Sequence, residues 1–188
     1  MNLQSGFIAF LNQRTSGKRC VVLFILTSAV YLLMLLVTIP SVQQYAPDIP
    51  LFDMSPSGYD YGQAMSLLKL LGEEGRSAYR FPQLAVDLVY PGLFAVTYAM
   101  ILTWAFRKRV RLRSKIFYVT ILPVTAGLFD YAENILIFLM LSVYPHVAKG
   151  LVAASSIFTI LKSVFTTLSL LLVLLALALL LKRTKAPA

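Results

Sequence analysis

The sequence predicts an all-α membrane protein. Residues 1–188 read as a single domain: a transmembrane four-helix bundle with a short amphipathic helix in the loop between spans one and two. Three observations predict this. The chain is 59% hydrophobic and only 13% charged, whereas soluble domains sit near half apolar and about a quarter charged. Four windows are long and apolar enough to cross a bilayer, which takes about 20 residues of helix. Basic residues gather at the ends of those windows, chiefly on one side.

Span one is expected over Cys20–Ile39, too long for a signal-peptide core and without a small-residue cleavage site after it. The segment 41–81 follows as a loop. Turn residues Pro40, Pro47, Pro50, Pro56 and Gly58 open it. A short helix is expected from Asp60, as N-cap, to Leu71, with Gly72 as its stop. Leu67, Leu68, Leu71 and Met65 supply its apolar face, which should lie on the outer leaflet or cap the bundle. A turn over Glu73–Tyr79 should then lead into span two, Gln83–Phe106. Spans three and four are expected at Ile116–Val143 and Ala153–Leu181. The stretch Phe7–Leu11 reads as a weak interfacial helix.

Orientation follows from the flanking charges. Arg14, Lys18 and Arg19 precede span one. Arg107, Lys108, Arg109, Arg111, Arg113 and Lys115 lie between spans two and three, and Lys182, Arg183 and Lys185 follow span four. A four-span chain puts these twelve on one side. The other side carries Lys69, Arg76, Arg80 and Lys149 beside Asp48, Asp53, Asp60, Glu73 and Glu74. The positive-inside rule then places both termini in the cytoplasm and 41–81 outside.

The net charge of +9 belongs to this topology and to contact with anionic membrane lipid; no nucleic-acid motif accompanies it. Cys20 is the only cysteine, so an intramolecular disulfide and a cysteine metal cluster are excluded. His146 is the only histidine, which removes bis-histidine haem and most zinc sites. No cofactor and no metal site is expected.

The chemistry is expected inside the spans. Asp87, Asp130, Glu133 and Lys162 are ionisable residues at membrane depth, each costing about 2.5–3.5 kcal/mol at a helix centre. At a rise of about 1.5 Å per residue, Asp87 lies about 6 Å below the outer end of its span, Glu133 about 15 Å and Lys162 about 14 Å. Asp130 is about one turn deeper than Glu133. Asp130, Glu133 and Asn134 share a helix face, as do Asp87 and Tyr90. Ser155, Thr159, Lys162, Ser163 and Thr166 form a polar stripe on span four. Pro91 frees the Asp87 carbonyl and Pro123 the Val119 carbonyl, while Thr125, Ala126 and Gly127 invite a close neighbour. Three acids face one lysine, so either one acid holds a proton or Arg76 or Arg80 reaches down from outside. Arg76, Tyr79 and Gln83 sit above the cluster, where they can line its mouth. Trp104, Tyr31, Tyr98 and Tyr118 read as interfacial or core aromatics.

The series G-R-x-x-Y (Gly75–Tyr79), D-x-x-Y-P (Asp87–Pro91), L-P (Leu122–Pro123), D-x-x-E-N (Asp130–Asn134) and F-T-x-x-K (Phe158–Lys162) resembles a group of uncharacterised small bacterial four-span membrane proteins, over about Gly58 to the end. That resemblance implies a bacterial inner membrane and no particular activity. A looser resemblance is to the EXPERA group of emopamil-binding proteins and the sigma-2 receptor. It rests on Asp87 through Pro91 with Thr97-Tyr98-Ala99, and implies acids facing a lipid-sized cavity. Span one carries no acid and no histidine lies in a span, so the likeness is one of layout.

Three functions fit these residues. The first is binding of a lipid or small hydrophobic molecule in a polar cavity in the outer half of the bilayer. Asp130 and Glu133 would be its acid–base pair, with Asp87, Tyr90, Asn134, Thr159, Lys162, Arg76 and Tyr79 around the ligand. The second is a proton-coupled transporter working as a homo-oligomer. The third is an accessory subunit of a larger membrane complex, with Glu133 and Lys162 as interhelical glue.

Overall fold

A computed structural model describes residues 13–107 and 115–181, with side chains over 13–107 and 118–180. The stretch Phe7–Leu11 and the basic residues Lys108, Arg109, Arg111, Arg113, Lys182, Arg183 and Lys185 lie outside the described residues, as does the Lys115 side chain. The architecture is an all-α bundle of four helical stretches long and apolar enough to cross a membrane: Gly17–Gln43, Tyr61–Arg107, Tyr118–Val143 and Lys149–Leu180. Much of their surface is bare leucine, isoleucine and valine, such as Ile25, Leu36, Leu128, Leu171 and Leu174. In water that surface would be an aggregation liability; in a bilayer it is the solvent-facing side.

Span one comprises α1 (Gly17–Leu33), a π-helical turn at Met34–Thr38, and α2 (Ile39–Gln43). The helix therefore runs past Pro40, where the sequence suggests a turn. The wider turn just before the proline accommodates its missing N–H and its ring. The same device recurs in the second stretch. There α3 (Tyr61–Ala78) passes through a π-helical turn at Tyr79–Gln83, which contains Pro82, into α4 (Leu84–Asp87) and α5 (Tyr90–Arg107). The break between α4 and α5 falls at Leu88–Val89, immediately ahead of Pro91. Span three is α6 (Lys115–Val143) and span four is α7 (Lys149–Leu181).

The loop between spans one and two is folded. Asp60 caps α3: its Oδ1 accepts from the Gln63 N–H, and Gln63 Oε1 accepts from the Asp60 N–H, both at 2.8 Å. At Gly72 the helix bends through φ 62° and ψ −171°, a conformation only glycine adopts cheaply. Helix resumes directly afterwards, so Glu73 to Ala78 is helical rather than a turn. Arg76 Nη1 reaches back across the bend and donates 2.9 Å to the Leu68 carbonyl.

Ala64, Leu67, Leu68 and Leu71 turn inward. With Phe52, Ile137, Met140 and Val152 they form an apolar core at the end of the bundle that carries this loop. A second core, built on Cys20, Met100, Leu102, Ala105, Val173 and Ala176, closes the opposite end. Polar residues occupy the layer between. Span three packs on spans two and four, span one packs on span two, and span two also reaches span four. Gly127 permits the tightest of these approaches, because a Cβ there would stand 2.7 Å from the Pro91 carbonyl oxygen. Among the described residues, spans one and four share no comparable packing.

Candidate functional site

Lys162 enters the middle layer from span four and finds both acids of span three. Its Nζ lies 3.3 Å from Asp130 Oδ1 and forms a closer ion pair with Glu133 Oε2. The other Glu133 oxygen accepts from Thr159 Oγ1 at 2.7 Å. Glu133 is wholly buried, so both of its oxygens are engaged by span four. The i, i+3 spacing on span three and the i, i+3 spacing of Thr159 and Lys162 on span four bring these four groups face to face.

Beside this network opens a cleft of about 430 Å³. Every span contributes to it: Thr27, Ser28 and Tyr31 from span one, Asp87, Tyr90, Phe94 and Tyr98 from span two, Asp130 from span three, and Lys162, Ser163 and Thr166 from span four. Met54 and Pro56 of the loop between spans one and two lie at one end of it, and Leu170 lies far along span four at the other. It occupies the gap between spans one and four, and Tyr31, Thr167 and Leu170 on its rims are exposed on the membrane-facing surface. Rings line the span-two side in series: Tyr31–Tyr90 at 5.6 Å, Tyr90–Phe94 at 6.0 Å and Phe94–Tyr98 at 4.4 Å between centroids.

A residue outside the sequence-derived set completes the polar end. Asp53, in the 3-10 turn Phe52–Met54 of the loop between spans one and two, lines the cleft. Tyr79 OH donates to its Oδ1 at 2.6 Å and Gln83 Nε2 to its Oδ2 at 3.1 Å. Gln83 is itself held by a hydroxyl donated from Thr38. Thr38 and Gln83 belong to the two π-helical turns, so the irregular turns of spans one and two meet and together hold the loop carboxylate. Nothing in the sequence marks Asp53 apart from the other outer acids; it needs the loop to fold inward.

The other sequence-derived residues divide clearly. Asp87, Tyr90, Asp130 and Lys162 line the cleft, while Glu133 and Thr159 stand behind them in the ion-pair network. Tyr79 is fully buried and works through Asp53. Asn134 is 2% exposed, off the cleft wall, with both amide atoms lacking a hydrogen-bond partner. Arg76 does not come to the cleft: its guanidinium stacks 4.4 Å above the Tyr144 ring. Arg80 lies over Phe81 at 5.7 Å. Neither arginine reaches the acids of the middle layer, whose ion pairs are those of Lys162 with Asp130 and Glu133. Tyr31 and Tyr98, read from sequence as ordinary aromatics, stand on the cleft wall.

The loop is locked to span four above the cluster. The Tyr59 N–H donates to Ser156 Oγ at 2.9 Å and its phenol to Ser155 Oγ at 2.7 Å. Burial pushes the Tyr59 phenol up to about 12, with the Ser155 hydrogen bond acting in the opposite direction. Comparison with family models, with curated proteins and with solved structures gives no match, so the site is read from its own geometry.

Proposed function

We propose that this integral membrane protein binds a lipid or a small hydrophobic molecule in the cleft between spans one and four. One observation carries the reading: an elongated cleft, polar above and aromatic below, whose rims are exposed to the bilayer. Ion-pair glue alone would need only Lys162, Glu133 and Thr159. It gives no reason for Asp87, Tyr31 and Tyr98 to border open space from a different side. Binding sites are concave, largely apolar, and oriented by a few polar groups. Proton exchange with a guest would run through Asp130 or Asp87, which border the cleft, because Glu133 is enclosed by Thr159 and Lys162.

The reading also sets the protein in a bacterial inner membrane, as the resemblance of its motifs implies, with both termini cytoplasmic, supported by the twelve basic residues that fall on one side of the four spans. A reporter fused to the C-terminus that is active only in the cytoplasm should be active. The binding reading is tested with a lipid carrying a photoreactive group near the end of its chain, reconstituted with the protein. Labelling of peptides containing Phe94 and Thr166 supports it. Labelling confined to the outer leucine-rich belt, at residues such as Leu171 and Leu174, overturns it.

A further inference from the structure

The charges on the cleft wall do not balance, and the imbalance has a location. Asp53, Asp87, Asp130 and Lys162 border the space. Lys162 is shared between Asp130 and Glu133. Asp53 receives hydrogen bonds from Tyr79 and Gln83. Asp87 is 3% exposed, yet among the described residues no hydrogen bond or ion pair reaches its carboxyl group. Arg76 and Arg80, the outer cations nearest in sequence, are turned to Tyr144 and Phe81.

A buried carboxylate is costly unless a cation or a set of donors meets it. Along span two the cleft-lining ring closest to Asp87 is Tyr90, one turn on, with the Tyr31 ring 5.6 Å from it; Phe94 and Tyr98 continue the wall beyond. Aromatic faces attract organic cations. A small inorganic cation is a poorer match, since calcium or magnesium takes several oxygens at close range. Among the described residues no three acidic, histidine or cysteine side chains are placed to share a metal ion.

Resting on the binding reading above, we propose that the guest carries an ammonium group, set against Asp87 at the head of the cleft, with its apolar chain running down the Tyr90–Phe94–Tyr98 wall. An anionic head would meet Asp53, Asp87 and Asp130 with Lys162 already engaged. A neutral head could share a hydrogen bond with Asp87 but would leave its charge uncompensated. Two sources supply this chemistry, the amine of an aminophospholipid and a free alkylammonium amphiphile.

The test uses the full chain in a neutral maltoside detergent, with binding followed by native mass spectrometry and by thermal shift. The probes are dodecyltrimethylammonium, dodecanol and dodecanoate, then phosphatidylethanolamine and phosphatidylglycerol of matched chains. The ammonium probe is expected to bind about tenfold more tightly than the alcohol. Asp87→Asn should remove that preference. Preference for phosphatidylethanolamine over phosphatidylglycerol assigns the amine to a membrane lipid; preference for the single-chain ammonium alone assigns it to a free amphiphile. Equal binding of ammonium and alcohol, or an unaltered preference in Asp87→Asn, overturns the charge assignment while the binding reading stands. Failure of every probe to bind overturns both. Should Asp87→Asn fail to fold, the comparison of probes on the unmodified chain decides the sign of the charge.

Discussion

Lys162 is the residue on which the buried charges turn. Removing one partner of a buried pair costs about 3–5 kcal/mol, because the other charge is left behind. Here two carboxylates would be stranded, so Lys162→Met should lower the thermal unfolding midpoint sharply. Glu133→Gln in the same chain should restore part of the loss, since it deletes the more deeply buried of the two acids. Unfolding midpoints of the two single variants and the double variant, measured in one detergent, give the coupling; strictly additive losses would separate Lys162 from Glu133. Asp130, Glu133, Thr159 and Lys162 were legible in the sequence because helical spacing fixes which side chains share a face, and depth fixes which can meet across helices. Asp53 was not, because a loop residue's depth is set by tertiary folding alone. Tyr31 and Tyr98 were hidden for a different reason: aromatic residues at a bilayer boundary and on a cleft wall look the same in sequence. Tyr59 carries a pH dependence of its own. Its phenol is raised from 10.0 to about 12 by burial, so between those values the folded state holds a proton that the unfolded state has released. Its contribution is full below pH 10 and is lost as the pH rises toward 12. Tyr59→Phe should flatten the fall in thermal stability across that window, and an unchanged slope would count against burial of the phenol.

Among the elements, the outer loop decides whether the cleft has a top. It brings Asp53, Met54 and Pro56 over the polar layer and is fixed to span four through Tyr59. Gly58 makes this contact feasible. Its φ is +82°, and a Cβ would stand 2.6 Å from Ser156 Oγ and 2.9 Å from Ile160 Cδ1. Gly58→Ala therefore meets a left-handed backbone penalty of about 1–2 kcal/mol together with a clash. The expected result is faster hydrogen exchange at Leu51–Tyr59 with the spans still protected. Exchange that rises evenly through the spans would mean instead that loop and bundle open as one unit. The sequence placed the cap, the stop and the inward face of the loop helix correctly, since Asp60, Gly72 and the leucine spacing are local signals. It could not place the helix through Pro40, which depends on the π-helical turn Met34–Thr38, and a π turn has no composition of its own; nor could it show that helix resumes at Glu73 directly after the Gly72 bend.

At the scale of the whole molecule, the helix arrangement explains why a polar layer can sit open in an apolar bundle. Span two touches each of the other three spans, which leaves spans one and four as the two ends of the packing. The outer and inner apolar cores tie the ends of the bundle, so the middle can stay parted without the molecule coming undone. A gap between the first and last spans, open to the membrane and lined by Phe94, makes a sharp prediction. Phe94 is 3% exposed, so ordinary lipid around the protein does not touch it, but a chain lying in the cleft would. With the single native Trp104 replaced by Phe, tryptophan is introduced at Phe94 in one variant and at Leu102, fully buried in the inner core, in another. Both are reconstituted with lipids brominated along the chain, which quench tryptophan only at close range. Strong quenching at position 94 with little at 102 means that chains enter between spans one and four. Equal, weak quenching at both would close the cleft to lipid and return the polar layer to the role of holding helices together.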